Sequence, residues 1–229
     1  MSSLEKNTVP SYNQLKGAPY CYTIRPEGKG LRVLFLGNSI TLHGIYEDIG
    51  WTKLCGMAAS SIEKDYVHLC MDAILEYDND ATFALCQVAE WERQYKNGSE
   101  ILENYTASRD FDADIIIVRF IENCPGNDFA HEDFEREYKA LIDFFNKSGK
   151  AHIILTDGFW RHPGDVSIKA VAERYGYPLI NLGDLGDNDE MKAIGEYEHD
   201  GVANHPGDKG MANIASRIIE KLKACDILK

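Results

Sequence analysis

Leu31-Arg-Val-Leu-Phe-Leu-Gly37-Asn-Ser39-Ile-Thr41 joins an apolar run to a polar turn, and this segment is the clearest indication of the fold class. The apolar run to Leu36 lacks polar alternation, which is typical of a strand covered on both faces of a parallel sheet. Gly37 permits a tight turn, and the polar residues after it are types that begin helices. We therefore predict Ser39 at the junction between the carboxyl end of a strand and the amino end of a helix, where open α/β sheets bind ligands.

Short apolar runs alternate with helical patterns along the rest of the chain. Four further strands are predicted at 81–88, 114–120, 151–157 and 177–182, with helices at 63–76, 134–146, 165–175 and 209–225. Parallel strands need crossover connections, and helical crossovers cover both faces of the sheet. The pattern predicts an α/β fold with three α/β/α layers, a five-stranded parallel sheet and a flavodoxin-like strand order. Residues 31–229 are predicted to form one domain, and residues 1–30, with several Pro, Gly and Tyr, are predicted to be an arm packed on it.

Composition excludes several classes of partner. The formal charge of -13 argues against binding to nucleic acid or to anionic membranes, which need clustered Lys and Arg. The six cysteines are widely spaced and are expected to be reduced thiols. The chain as given has no apolar signal segment or membrane-spanning run, so we expect a cytoplasmic protein unless a signal peptide was removed.

No cofactor or metal is predicted from the motifs. The chain has neither the G-x-x-x-x-G-K-[ST] nor the G-x-G-x-x-G pattern, so phosphate or dinucleotide binding lacks its usual loop. His199, Asp200, His205 and Asp208 could be drawn as a metal site, but no second set of ligands supports it.

Two blocks at opposite ends of the chain resemble a known family. Gly37-Asn-Ser39-Ile-Thr41 resembles the first block of the SGNH hydrolases, the GDSL-like esterase and lipase superfamily. Asp200-Gly-Val-Ala-Asn-His205-Pro-Gly-Asp208 resembles the last block, in which an acid closely precedes a His-Pro. The resemblance implies the same three-layer fold, Ser39 as nucleophile and His205 as its base. Alone, Ser39 could instead cap a helix or bind phosphate, and His205 could be a loop histidine bonded to backbone.

The third triad member departs from the family pattern. The acid usually stands three residues before the histidine, where this chain has Val202, whereas Asp200 stands five before. We predict that Asp200 completes the triad. Glu198 or a backbone carbonyl remains the alternative.

The resemblance also implies three donors for the oxyanion that forms in acyl transfer. They are the Ser39 N–H, the Asn123 side chain, and an N–H at Ala89 or Glu90 in place of the missing second-block glycine. The glycine of the third block is absent too, and Asn123 could instead cap a turn.

Substrate contacts are predicted from residues in the loops at the carboxyl edge of the sheet: Trp51, Glu90, Trp91, Glu122 and Trp160. His43 and Trp51 could equally pack their loop down. The tryptophans suit stacking on sugar rings, and the family often removes acetyl groups from carbohydrates. The sequence therefore predicts a serine esterase that needs no cofactor and acts on a small-molecule ester, such as an acetylated carbohydrate. An acyltransferase, or a non-catalytic carbohydrate-binding or regulatory domain on the same fold, is the alternative.

Overall fold

The computed structural model describes residues 21–228, which contain a six-stranded sheet. Its strands are β1 (Tyr22–Ile24), β2 (Arg32–Gly37), β3 (Thr82–Gln87), β4 (Ile115–Arg119), β5 (His152–Thr156) and β6 (Leu179–Ile180). The order across the sheet is β1-β3-β2-β4-β5-β6. Strands β2 to β6 are parallel, and their order confirms the predicted flavodoxin-like arrangement.

The sixth strand, β1, is a correction to the predicted five-stranded sheet. It pairs antiparallel with β3 at the edge. It is three residues long and partly exposed, and it lies in a segment rich in Pro and Gly, so no hydrophobic pattern marked it. Most of the predicted arm, residues 1–20, lies outside the described residues.

Helices cover both faces of the sheet, as the pattern predicted. The α-helices are α1 (Tyr66–Leu75), α2 (Ala89–Arg93), α3 (Thr106–Asp110), α4 (His131–Phe145), α5 (Asp165–Tyr175), α6 (Gly183–Gly186), α7 (Asp200–Ala203) and α8 (Asp208–Ala224). The 3-10 helices are Glu47–Ile49, Ile62–Lys64, Tyr95–Tyr105 and Asp189–Met191. Helices α1 and α8 pack on one face of the sheet with Val33 and Phe35, and α4 and α5 pack on the other with Leu34 and Leu36. Burial on both faces explains why β2 shows no polar alternation.

The segment after Ser39 differs from the predicted helix start. The chain makes a single turn and enters a loop that continues to α1. Two isolated antiparallel bridges, His43 with Cys55 and Tyr46 with Trp51, fold this loop on itself. The loop thereby forms one wall of the site.

The six cysteines are free thiols, four of them buried. Within residues 21–228, no helix combines the length and the apolar character needed to cross a membrane.

Candidate active site

Ser39 lies in a hydrogen-bonded turn directly after β2. The N–H groups of Thr41 and Leu42 both donate to the Asn38 carbonyl at 2.9 Å, which turns the chain away from the sheet. Gly37 is needed because a Cβ there would collide with the Thr41 side chain. Among residues 21–228 no hydrogen bond uses the Ser39 N–H, so this donor is available to a ligand.

His205 meets Ser39 across the carboxyl edge of the sheet. Its Nε2 lies 2.9 Å from Ser39 Oγ, although the two residues are 166 positions apart in the chain. Its Nδ1 lies 2.6 Å from the Gly201 carbonyl oxygen. A carbonyl oxygen only accepts, so Nδ1 carries the ring proton and Nε2 is free to accept the serine proton.

The predicted partner of His205, the Asp200 carboxylate, does not take that role in the structure. Asp200 is exposed at the start of α7, and its backbone carbonyl accepts from Asn204. Within the described chain, the hydrogen bonds of the His205 ring go to Ser39 and Gly201. The reason is local: Gly201 stands four residues before His205, and one helical turn brings its carbonyl under the ring. The structure therefore agrees with the alternative in which a backbone carbonyl orients His205.

The surroundings of His205 favour its neutral form. Burial lowers the pKa of His205 to about 4, against the effect of the Gly201 hydrogen bond, and the neighbouring His43 lowers the pKa further. Trp160 packs edge-on against the imidazole, with ring centroids 5.0 Å apart. The ring is therefore held in place and unprotonated at neutral pH.

Asn123 follows β4 and faces the same cavity as Ser39 and His205. Its side-chain Nδ2 donates to Glu92 Oε2 at 2.7 Å, and its backbone N–H donates to Glu92 Oε1 at 3.1 Å. An amide nitrogen carries two hydrogens, so one remains for a ligand in the cavity.

A buried polar network lies beneath these residues. Asn38 Nδ2 donates to Glu92 Oε1 at 3.1 Å and to Glu122 Oε2 at 2.6 Å, and Asn38 Oδ1 accepts from Arg119 Nη1 at 2.9 Å. Arg119 also forms an ion pair with Glu122. Burial and the nearby Glu122 raise the pKa of Glu92 to about 7. Burial opposes the ionisation of Glu122, but Arg119 and hydrogen bonds outweigh it and lower the pKa of Glu122. Glu122 is therefore a member of this network, and it is absent from the lining of the cavity.

The N–H of Ala89, predicted as an oxyanion donor, is already used. It donates to the Gln87 side-chain oxygen at 2.7 Å, and Gln87 Nε2 in turn donates to the Leu42 carbonyl. Ala89 lines the cavity but could bind an oxyanion only if Gln87 moved. The structure therefore does not support the prediction that the Ala89 N–H is the third oxyanion donor.

The cavity over Ser39 has a volume of about 230 Å³. Besides the residues already named, its lining includes His43, Met57, Arg93 and His199. Ile49 and His199 also line a neighbouring cleft of about 670 Å³. A small chamber over the serine thus opens beside a larger one.

Two of the predicted substrate-binding tryptophans lie in the core instead. Trp51 is fully buried under the loop, with its indole N–H donating to the His43 carbonyl. Trp91 is fully buried between Phe120 and Phe134. Trp160 is partly buried and supports His205, and Glu90 does not line the cavity. The predicted stacking platform of tryptophans is therefore wrong for Trp51 and Trp91.

Sequence reasoning missed several residues that shape the site. Gln87 and Arg119 end strands at the edge already identified, so their position was a usable signal. Glu92 and Gly201 gave none, because their roles depend on contacts between distant segments and on a backbone carbonyl. In the part of the chain covered by the structure, no group of three His, Cys, Asp or Glu side chains could hold a metal ion.

Comparison with known proteins supports the fold. No family model and no curated protein matches the sequence. A two-domain esterase active on acetylated mannans matches with a TM-score of 0.56 and 17% identity over 88% of this chain, which spans 52% of that protein. A psychrotrophic esterase from Pseudoalteromonas sp., inhibited by monoethylphosphonate, matches with a TM-score of 0.55 and 15% identity, covering 85% of this chain and 98% of that one.

A third similar structure is a lipolytic protein of the G-D-S-L family from Desulfitobacterium hafniense. Its TM-score is 0.52 at 12% identity, and the match covers 84% of this chain and 100% of that one. Together these likenesses show that the chain has the fold of the GDSL-like, or SGNH, hydrolases.

Proposed function

We propose that this chain, which has the SGNH hydrolase fold, is a serine esterase that cleaves small acyl groups from an alcohol. The main support for the proposal is the distance of 2.9 Å between His205 Nε2 and Ser39 Oγ. A serine hydroxyl is almost fully protonated at neutral pH and needs such a base to become a nucleophile.

The reaction follows from the positions of the named atoms. Ser39 Oγ attacks the acyl carbonyl while His205 Nε2 takes its proton. The Ser39 N–H and Asn123 Nδ2 donate to the oxygen that becomes negative. His205 then returns the proton to the leaving alcohol, and a water activated by His205 releases the acid from the acyl-enzyme.

The two cavities support a small acyl group on a larger alcohol. The chamber of about 230 Å³ lies below the range of about 300–1,000 Å³ typical of sites for drug-sized ligands. An acetyl group fits that size, and the neighbouring cleft of about 670 Å³ has room for a sugar ring. The similar esterase active on acetylated mannans agrees with this assignment.

The test measures hydrolysis of p-nitrophenyl acetate and acetate release from an acetylated oligosaccharide. We expect wild-type turnover, with losses of at least about 10³-fold in Ser39→Ala and His205→Ala. Ser216→Ala and His152→Ala, which change the same residue types outside the cavity lining, should retain full activity. Equal activity of Ser39→Ala and wild type would refute the proposal.

A transferase and a binding domain predict other results. With a sugar alcohol added, transfer of the acetyl group to that alcohol in preference to water would identify a transferase. Binding of the oligosaccharide without turnover of either ester would identify a non-catalytic domain.

A further inference from the structure

We infer that Glu92 is a positioning residue for the reaction, whose carboxylate holds the Asn123 amide with one N–H directed to the oxyanion. The inference rests on the proposed hydrolase function and adds a residue that does not touch the substrate.

Glu92 binds Asn123 at two points. Oε2 accepts from the side-chain amide at 2.7 Å and Oε1 accepts from the backbone N–H at 3.1 Å. Among the residues that the structure describes, no other hydrogen bond holds the Asn123 side-chain amide. Without Glu92 this amide could rotate about its side-chain torsions, and its second hydrogen would lose a fixed direction.

Glu92 is also held by a hydrogen bond from the turn that carries Ser39. Asn38, the residue before Ser39, donates to Glu92 Oε1 at 3.1 Å. The carboxylate therefore connects the turn that carries the nucleophile to the loop that carries the oxyanion donor. These segments lie 54 and 31 residues from Glu92 in the chain.

Burying this carboxylate is costly. The Glu92 side chain is fully buried. The nearby cation, Arg119, forms an ion pair with Glu122 instead. An ionised carboxylate without a cationic partner needs hydrogen-bond donors to offset its lost hydration. Three N–H groups, all from Asn38 and Asn123, supply them. An ionised carboxylate accepts only, which suits three donors.

Because Glu92 can gain or lose a proton, its role can be tested by the pH dependence of activity, which a purely structural residue would leave unchanged. Its pKa of about 7 places its titration near neutral pH. Of the groups that face it, burial raises the pKa values of Cys124 and Tyr138 far above neutral, so both stay protonated. The pKa of Glu122 is lowered beside Arg119, so Glu122 stays ionised. Protonation of Glu92 turns one acceptor into a donor and disturbs the bonds from Asn123.

The experiment compares Glu92→Gln, Asn123→Ala and the double variant on p-nitrophenyl acetate. Glutamine keeps the shape of the Glu92 side chain, but its NH2 group replaces a carboxylate oxygen that accepts hydrogen bonds from Asn38 or Asn123. We expect kcat to fall about 10²-fold with KM within about threefold, the effect of roughly 1 Å of misplacement. The double variant should be no slower than the slower single variant, because both changes remove the same donor. Glu137→Gln is the matched control: this buried carboxylate accepts a backbone N–H from Ser99 and lies outside the cavity lining. Its kcat should remain that of wild type.

The outcomes separate this inference from the proposed function. An inactive wild type would refute the proposed function. An active wild type with unchanged kcat in Glu92→Gln, or with multiplicative losses in the double variant, would overturn the role of Glu92 alone. Should Glu92→Gln fail to fold, the kcat/KM profiles of wild type and Asn123→Ala decide. A wild-type step near pH 7, with higher activity above it, that disappears in Asn123→Ala supports the role of Glu92, because that variant lacks the amide that Glu92 holds. A flat wild-type profile from pH 5.5 to 8.5, or a step that persists in Asn123→Ala and so belongs to another group such as His205, contradicts it.

Discussion

The Nδ1 atom of His205 lies 2.6 Å from the carbonyl oxygen of Gly201, in the position that a carboxylate occupies in a Ser-His-Asp triad. The carbonyl fixes the ring tautomer and orientation as a carboxylate would. It carries no full charge, so it stabilises an imidazolium less. This agrees with the lowered pKa of His205, for which burial is the main cause.

The first prediction concerns Asp200→Asn. Removing the acid of a triad can cost on the order of 10⁴ in kcat. Here the carboxylate does not bond to His205, so we expect kcat to change by less than about threefold, since exposed charges contribute little. Steady-state kinetics on p-nitrophenyl acetate measures this, and a loss above about 100-fold would show that Asp200 moves in to complete a triad.

The second prediction concerns pH. The pKa of His205 is lowered to about 4, so the imidazole is neutral and able to accept a proton above that value. In Glu92→Gln, which lacks the Glu92 titration, kcat/KM should be constant above pH 4 and be lost as the pH falls through that value. Wild type should show the Glu92 step near pH 7 as well. A midpoint near 6.5 in Glu92→Gln would instead indicate an ordinary solvated histidine.

The third prediction concerns Asn123. Removing one oxyanion donor typically costs about 10²–10³ in kcat, so Asn123→Ala should lose that much with little change in KM. Asn123→Asp should lose more, because it places a second carboxylate beside Glu92. Asn213→Ala, at a half-buried position on α8 outside the cavity lining, is the control and should leave kcat unchanged. Unchanged kcat in Asn123→Ala would remove this residue from the oxyanion site.

The fourth prediction separates a core tryptophan from a substrate-binding one. Trp91 is fully buried, so Trp91→Ala should lower the free energy of unfolding by about 3–5 kcal/mol. Urea unfolding measures the loss. The milder Trp91→Phe should keep the wild-type KM for an acetylated oligosaccharide. A raised KM in Trp91→Phe, with no loss of stability in Trp91→Ala, would show that Trp91 contacts the substrate.

The layered fold could be predicted because burial on both faces leaves a mark in the sequence. The run that ends at Leu36 has no polar alternation, and β3, β4 and β5 repeat that buried pattern. Ser39 and His205 could be identified because short motifs mark them. The edge strand β1 could not, because three half-exposed residues carry no periodic signal.

The finer parts of the site depend on tertiary contacts. The Gly201 carbonyl acts through the backbone, which no residue type reveals. Trp91 and Glu92 are neighbours that are both buried on α2. The packing of this short helix makes Trp91 a core residue and lets the Glu92 carboxylate reach Asn123, and the sequence does not show that difference.

The most direct measurement is intact-protein mass spectrometry after reaction with a fluorophosphonate, followed by peptide mapping of the adduct. We expect one covalent adduct, on Ser39, that is absent in Ser39→Ala and nearly absent in His205→Ala, because the serine needs the imidazole at 2.9 Å to become a nucleophile. No adduct on wild-type protein at pH 8, or an adduct on another residue that persists in Ser39→Ala, would contradict the assignment of Ser39 and His205 as the reacting pair.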